Sequence, residues 1–344
     1  YGVADLGIGY YQTSGQSNTT PNASGSGSRL GFLAERAINN DIKVSARIEA
    51  GINIDTGRPS STGGASDRVW GRQVYLGFES ATYGAGRAGR LQGPSYDFFP
   101  RFDPMLMPSI GSWGVLTTLG QPVPGGASGT GRSSGFLINP TERTENSVEY
   151  ISPRLSGLQL KTSYSLNESS ATVPELFEAA LDFQKGPLAM QLLLTRASAI
   201  PGAGTVKATE PVTETAFGLS YQFGPVNPYL TIVHRDKTDP TLGANGSVLN
   251  GNAEKVLLLG ATIPVSAKGT VRLSAGRYAS GSADSDATSL GVGYTYDVDP
   301  TLTLLVAYSH LSQESAGQWP IFLSPKPTPG SPVNSMLVGA TWRF

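Results

Sequence analysis

The sequence predicts an all-β protein, a 16-stranded antiparallel transmembrane β-barrel with a long third loop folded into its lumen. Three observations predict it: apolar and polar residues alternate with period two, charge is scarce, and turn-rich connections alternate between short and long. Of the 344 residues only 15 % are charged, where a soluble domain carries about 25 %. The 43 glycines and 24 prolines lack a period of three and are interleaved with large apolar residues, which excludes collagen and simple disorder.

Other classes fall on composition. A net charge of −1 gives no basic excess for phosphate backbones, so no nucleic acid partner is expected. The chain has no cysteine, and its two histidines, His234 and His310, are far apart in sequence. Disulfide scaffolds, thiolate sites and His-rich metal centres are thereby set aside, and no cofactor is expected. No apolar run reaches the roughly 18 residues of a spanning helix. Tyr1 opens directly on a patterned segment with no signal peptide before it, which fits a cytosolic chain or one whose leader has been removed.

The clearest strand runs from Ile42 to Asp55. Ile42, Val44, Ala46, Ile48, Ala50, Ile52 and Ile54 fall on one face, and Lys43, Ser45, Arg47, Glu49, Gly51, Asn53 and Asp55 on the other. An alternation this long exceeds the usual strand of about 5 to 6 residues and suits a tilted membrane-crossing strand of about 9 to 11. The pattern recurs around Leu158 to Leu166, Phe177 to Gln184, Phe217 to Phe223, Leu290 to Val298 and Met336 to Phe344. Its polar face is mostly Gly, Ser, Thr and Gln, so the apolar face is expected to meet lipid and the polar face to line a lumen. Aromatics near strand ends, among them Tyr10, Tyr11, Tyr164, Tyr229, Tyr308 and Trp342, would supply interfacial girdles.

Seven short connections are read at Asn39-Asn40, Ser80-Ala81, Ser152 to Ser156, Lys185-Gly186, Gly224-Pro225, Pro264 to Lys268 and Asp297 to Pro300. Between them lie eight longer segments: Thr13 to Gly27, Thr56 to Asp67, Gln92 to Arg143, Asn167 to Pro174, Ala199 to Pro211, Asp236 to Asn252, Ser280 to Ser285 and Ser312 to Val333. Fifteen connections imply sixteen strands with both termini on one side, in one barrel domain covering residues 1–344. The third long segment, about residues 92–143, holds Tyr96, Asp97, Phe98, Phe99, Arg101, Asp103 and Trp113. A loop of that length is expected to pack on something, and a sixteen-stranded barrel offers a channel to receive it.

At this point the chain resembles the trimeric general porins of Gram-negative outer membranes, particularly the betaproteobacterial branch. The resemblance runs along the whole sequence, through Tyr1-Gly2-Val3-Ala4-Asp5, Ser28-Arg29-Leu30-Gly31-Phe32, Gly71-Arg72-Gln73-Val74-Tyr75-Leu76-Gly77, Gly89-Arg90, Arg143 before Asn146-Ser147-Val148, and the terminal Trp342-Arg343-Phe344. It implies a water-filled diffusion channel of the outer membrane, narrowed where wall bases face acids on the inward third loop. Carried over by motif, the basic ladder is Arg29, Arg90 and Arg143, with Asp97 and Asp103 as the acidic candidates. Strand parity separately sets Arg29 on the lumen side with Gly31 and Leu33, and adds Lys43 and Arg47. Arg72 shares parity with Val74, Leu76 and Phe78, which directs it to a subunit interface or the outer rim.

More named bases than acids point to a mild anion preference for a passive pore that does no covalent chemistry. The resemblance also implies a homotrimer, which small Ala46 and Ala50 would suit, in contact with outer-membrane lipid and lipopolysaccharide and passing small ions and hydrophilic solutes. A substrate-selective channel is the alternative, with Tyr96, Phe98, Phe99 and Trp113 as an aromatic slide. A hydrolase would need a nucleophile with its base, for which the candidates are Ser309 beside His310 and the neighbourhood of His234 and Asp236; Ser309 and His310 are adjacent on a strand and point to opposite faces. The Gly84-Ala85-Gly86-Arg87-Ala88-Gly89 match to a dinucleotide fingerprint is rejected, because no apolar helix follows it.

Overall fold

The computed structural model describes residues 1–22, 27–59, 68–105, 143–166, 175–198, 211–236, 253–281, 283–321 and 324–344. Its first half contains β1 (Gly2–Thr13), β2 (Gln16–Asn22), β3 (Arg29–Ala37), β4 (Ile42–Asn53), β5 (Arg58–Pro59), β6 (Gln73–Ser80), β7 (Gly84–Gln92), the helix α1 (Pro94–Phe102), β8 (Arg143–Ile151) and β9 (Leu158–Ser165). Its second half contains β10 (Leu176–Lys185), β11 (Leu188–Ala197), β12 (Val212–Tyr221), β13 (Asn227–Arg235), β14 (Glu254–Pro264), β15 (Gly269–Ala279), β16 (Ala287–Asp297), β17 (Leu302–Gln313) and β18 (Val333–Arg343).

These segments fill sixteen positions in one antiparallel wall. The strands β2 and β3 both pair with β1 and so share a position, while β5 pairs only with the tip of β4. The wall closes where β1 meets β18, from Val3 opposite Arg343 to Thr13 opposite Val333. Gly2 N donates to Phe344 O at 2.7 Å, so the two ends of the chain seal the seam. Closure leaves the ladder without an edge, the condition for a sheet to stand in hydrocarbon.

Alternation orients every strand. Ile8, Phe32, Leu76, Leu192, Leu259, Leu290, Val338 and Trp342 stand exposed on the outside, whereas Ser45, Glu49, Glu149, Glu178, Asp182 and Thr231 are buried on the inside. A soluble sheet would reverse this distribution. Short connections are held by side chains that imitate the backbone: Asn39 Oδ1 accepts from Asp41 N at 2.9 Å and Ile42 N at 2.7 Å. Asp299 Oδ1 accepts from Thr301 Oγ1 and N and from Leu302 N, bonds that hold its carboxyl below the ordinary value.

Two expectations need correction. The first long segment, Thr13 to Gly27, is instead a tight hairpin: Ser14 and Gly15 both adopt positive φ, at 50° and 74°, and Gln16–Asn22 pairs with β1. Such a two-residue turn matches the right-handed twist of the strands it joins. Tyr11 is not a girdle residue, because it is fully buried and shares the inward face with its partner Ser335. Most of the remaining long connections, including residues 106–142 with Trp113, 167–174, 199–210 and 237–252, lie outside the described residues.

Candidate functional site within the barrel

The helix α1 lies inside the barrel, against the inner faces of β9 to β13. Pro94 begins it, where the missing N–H costs nothing. Ser95, Phe98 and Phe102 recur at helical spacing on its wall-facing side and are buried, the two rings 5.2 Å apart. Phe102 lies over Gly218 of β12, where an added Cβ would come 2.3 Å from the ring. Just beyond the helix, Pro104 meets Gly260 of β14 in the same way. Glycine on these two strands makes room for the loop.

Charges flank the apolar contact and tie the helix down. Asp97 pairs with Lys161 of β9, and Arg101 pairs with Asp182 of β10, which Arg154 also reaches. Arg101 Nη2 donates to Gln184 Oε1 at 3.3 Å. Thr231 Oγ1 donates to Phe102 O at 3.2 Å, and Arg272 Nη1 donates to Pro104 O at 2.8 Å. Asp103 is buried and its Oδ1 accepts from Met105 N at 2.9 Å, which shapes the turn out of the helix.

The walls β3, β4, β6 and β7 carry a second polar group. Glu49 of β4 accepts from Tyr1 OH at 2.6 Å and from Arg72 Nε at 2.6 Å, with Arg29 Nε at 3.9 Å. Burial, followed by the bond to Glu49, pushes the Tyr1 hydroxyl up to about 12. Arg72 Nη2 donates to Tyr96 OH at 3.3 Å, and the Arg143 guanidinium stands 5.3 Å from the centre of the Tyr96 ring. Arg72 is therefore an interior residue, and its expected place on a rim or subunit interface is corrected. The regular strand begins only at Gln73, so the parity of Val74, Leu76 and Phe78 does not extend back to it.

Arg47 points inward from β4 between two rings, 5.9 Å from the centre of Tyr1 and 5.8 Å from Tyr75. Arg87 of β7 approaches Tyr75 at 5.3 Å and pairs with Glu149 of β8 at 3.3 Å. Lys43 lies nearer the short turns, 2.7 Å from Glu35 and 3.2 Å from Glu79. Arg90 takes a different setting: it is opposite Val74 in register, donates to Gly71 O at 2.7 Å, and pairs with Glu145 at 3.0 Å. A register shift between Gly89 and Leu91 separates it from the inward Arg87.

The structure thus gathers Arg29, Arg47 and Lys43 with Arg72 on one wall, sets Arg143 beside Tyr96, and ties Asp97 to the opposite wall. Glu49, Arg87, Glu149, Lys161, Glu178 and Asp182 belong to the same interior and were not among the expected site residues. Their signal was available, since each shares inward parity on an alternating strand. Phe98 packs into the wall, so it does not line an aromatic slide. Ser309 points inward with its Oγ 2.6 Å from that of Ser335, while His310 bonds Asn334 and Ser312 on the outer face. Ser309 and His310 thus lie on opposite faces of the wall and do not pair.

A closed sixteen-position barrel with an apolar exterior, a charged interior and a helix laid along its inner wall defines an outer-membrane channel protein. Residues 1–316 match the family model described as Gram-negative porin, and the chain belongs to that family. It is 24 % identical to an outer membrane porin protein of Bordetella pertussis, over 72 % of this chain and 65 % of that one. It is 23 % identical to outer membrane porin protein 32 of Delftia acidovorans, over 92 % and 84 % of the two chains. Among solved structures, an anion-selective porin from Comamonas acidovorans superposes with TM-score 0.78 at 20 % identity, covering 100 % and 98 % of the two chains. OmpT of Vibrio cholerae in its trimer form superposes with TM-score 0.63 at 18 % identity, again covering 100 % and 98 %. The protein is a passive porin of the bacterial outer membrane and not an enzyme.

Proposed function

We propose that the barrel is a general diffusion pore for small hydrophilic solutes and ions, with a mild anion preference, narrowed by the third loop. The observation that carries the preference is Arg47. Its two contacts are with aromatic rings, and among the described residues no carboxylate pairs with it. Arg29, Arg72 and Lys43, by contrast, each face an acid. A fixed cation without a countercharge raises the local concentration of anions and lowers that of cations. The constriction is read between α1 and the wall carrying Arg29, Arg47 and Arg143, with Asp97 on the helix side. Asp103 serves the loop's own turn in this reading, and Arg90 braces the bulge beside Arg143.

Assembly as a homotrimer is part of the same proposal. The exposed Ala34 and Ala46 stand side by side on the outer face of β3 and β4, which leaves a flat surface for close approach. The trimeric neighbour supports this reading. Planar-bilayer recording in a KCl gradient tests the selectivity: the reversal potential should report a modest excess of chloride permeability, and Arg47→Gln should reduce it. Cation selectivity in the unaltered protein, or a reversal potential that Arg47→Gln leaves in place, defeats the proposal.

A further inference from the structure

The end of the barrel that carries the short turns holds a cavity of about 580 Å³ on the inner face of the wall. One register row forms its deep edge: Lys43 of β4, Glu79 of β6, Ala85 of β7 and Ile151 of β8 stand opposite one another in turn. Ala85 and Ile151 make a small apolar floor in that row. The turns supply the rest, with Asp41 and Ser80 on one side and Arg154 and Gln159 on the other. In a porin this end faces the periplasm, so the cavity lies on the way out of the channel.

Its two sides carry opposite charge. Around Lys43 stand three carboxylates: Glu35 at 2.7 Å, Glu79 at 3.2 Å, and Asp41 in the adjoining turn, which accepts from Ser80 Oγ at 2.6 Å. Arg87 lies deeper, 3.9 Å from Glu79, and its nearer acid is Glu149. Across the floor the excess is positive, since Arg101 and Arg154 share the one carboxylate of Asp182. The Arg154 guanidinium is positioned by its own turn, Nη1 donating to Gly157 O at 2.8 Å and Nη2 to Gln159 Oε1 at 3.0 Å. Arg154 keeps 34 % of its side chain exposed and Glu79 keeps 38 %, so both retain surface for a solute. This polarity is the reverse of that in the proposed constriction, where the same wall carries Arg29, Arg47 and Arg72 and the helix side carries Asp97.

An ion of either sign gains at one side of the cavity and loses at the other, whereas a compact zwitterion matches both. We propose that this cavity is an exit subsite for small zwitterions, α-amino acids and short peptides, with the ammonium toward Glu79 and Asp41 and the carboxylate toward Arg154. Its volume is that of a small-molecule site. The proposal rests on the reading of the lumen as an open diffusion path. Reversal of polarity along that path makes the solute turn between the constriction and the exit, which a short molecule does readily and a long rigid one does not.

Single-channel recording with diglycine on both sides of the bilayer tests this, with N-acetylglycine as the purely anionic probe and N-acetylglycinamide as the uncharged one. The unaltered channel should show saturable current block by diglycine and weaker block by the other two. Glu79→Gln should weaken the diglycine block about fivefold, the effect of one exposed charge contact, and Ala85→Leu, which fills the floor, should remove it. KCl conductance certifies each variant as folded, and Glu79→Gln carries the test alone if Ala85→Leu yields no channels. Equal block by the three probes overturns the proposal. So does diglycine block that the variants leave in place, which would put the site elsewhere in the pore. A channel blocked in the expected pattern but lacking chloride preference would keep the subsite and remove the anion-selectivity reading.

Discussion

The Arg47 guanidinium lies 5.8 Å from the centre of the Tyr75 ring, and that ring is shared with Arg87 at 5.3 Å. Two like charges from the strands on either side of β6 share one aromatic ring, each attraction being about 0.5–1 kcal/mol where water has access. They differ in their other neighbours. Arg87 is paired with Glu149, and Arg47 faces only rings among the described residues.

That difference predicts opposite responses from neighbouring substitutions. Glu149→Gln removes the nearer countercharge of Arg87, whose other acid, Glu79, lies 3.9 Å away, and so adds net positive charge to the lumen. The chloride-to-potassium permeability ratio should rise, where Arg47→Gln lowers it. Reversal potentials measured on both variants in one salt gradient check the pair, and a shift of the same sign in both would show that these charges do not set the field.

The helix inside the barrel is held by a pair whose acid is buried. Asp182 has no exposed side-chain surface and receives both Arg101 and Arg154. Arg101 and Arg154 keep 21 % and 34 % of their side-chain surface exposed, so removing Asp182 leaves two partly hydrated charges and costs less than the about 3–5 kcal/mol of a fully buried pair. Asp182→Ala should therefore loosen the third loop without opening the wall. Larger and noisier single-channel conductance is expected, together with faster liposome swelling in oligosaccharides that the unaltered pore excludes. Unaltered solute exclusion would show that the loop is held mainly by Phe98, Phe102 and the glycine contacts.

The barrel was legible in the sequence wherever one face is apolar. In β4 the alternation from Ile42 onward shows its register directly, and only the last two residues of the expected strand fall outside it. The hairpin at Ser14-Gly15 was hidden because Gln16–Asn22 is polar on both faces and reads as loop. Arg72 was misplaced because parity holds only within a regular strand. Glu178 and Asp182 stood on the inward face of an alternating segment, but their roles depend on where the third loop travels. Local pattern carries no information about that path, since it is decided by contacts between residues far apart in the chain.

The exterior makes its own demand. Leu192, at the middle of β11, is 54 % exposed on the outer face. Arginine there would stand in hydrocarbon at a cost of about 2–4 kcal/mol near the midplane. Leu192→Arg should lower the unfolding free energy of the lipid-embedded barrel by that amount, seen as a lower denaturant midpoint, while leaving the reversal potential of folded channels in place. A midpoint equal to that of the unaltered protein would place this face outside the bilayer, against protein or water.

The seam at Tyr1 gives a pH dependence whose sign follows from the direction of its shift. Tyr1 OH donates to the buried Glu49 at 2.6 Å, and burial with this bond raises its titration from an ordinary value of 10.0 to about 12. Folding thus favours the protonated hydroxyl. The stabilisation is complete below about pH 10, declines as pH rises above it, and is gone once pH passes through about 12. Deprotonation would set a phenolate against the Glu49 carboxylate, where Arg29 and Arg72 already divide one acid between them. Tyr1→Phe removes the titrating group and the donor together, so the variant should start less stable at neutral pH and lose less on going from pH 9 to 12. Denaturant unfolding followed by tryptophan fluorescence at stepped pH measures both differences. Parallel stability curves for the two proteins across that range would show that the Tyr1 hydroxyl plays no part in holding the seam.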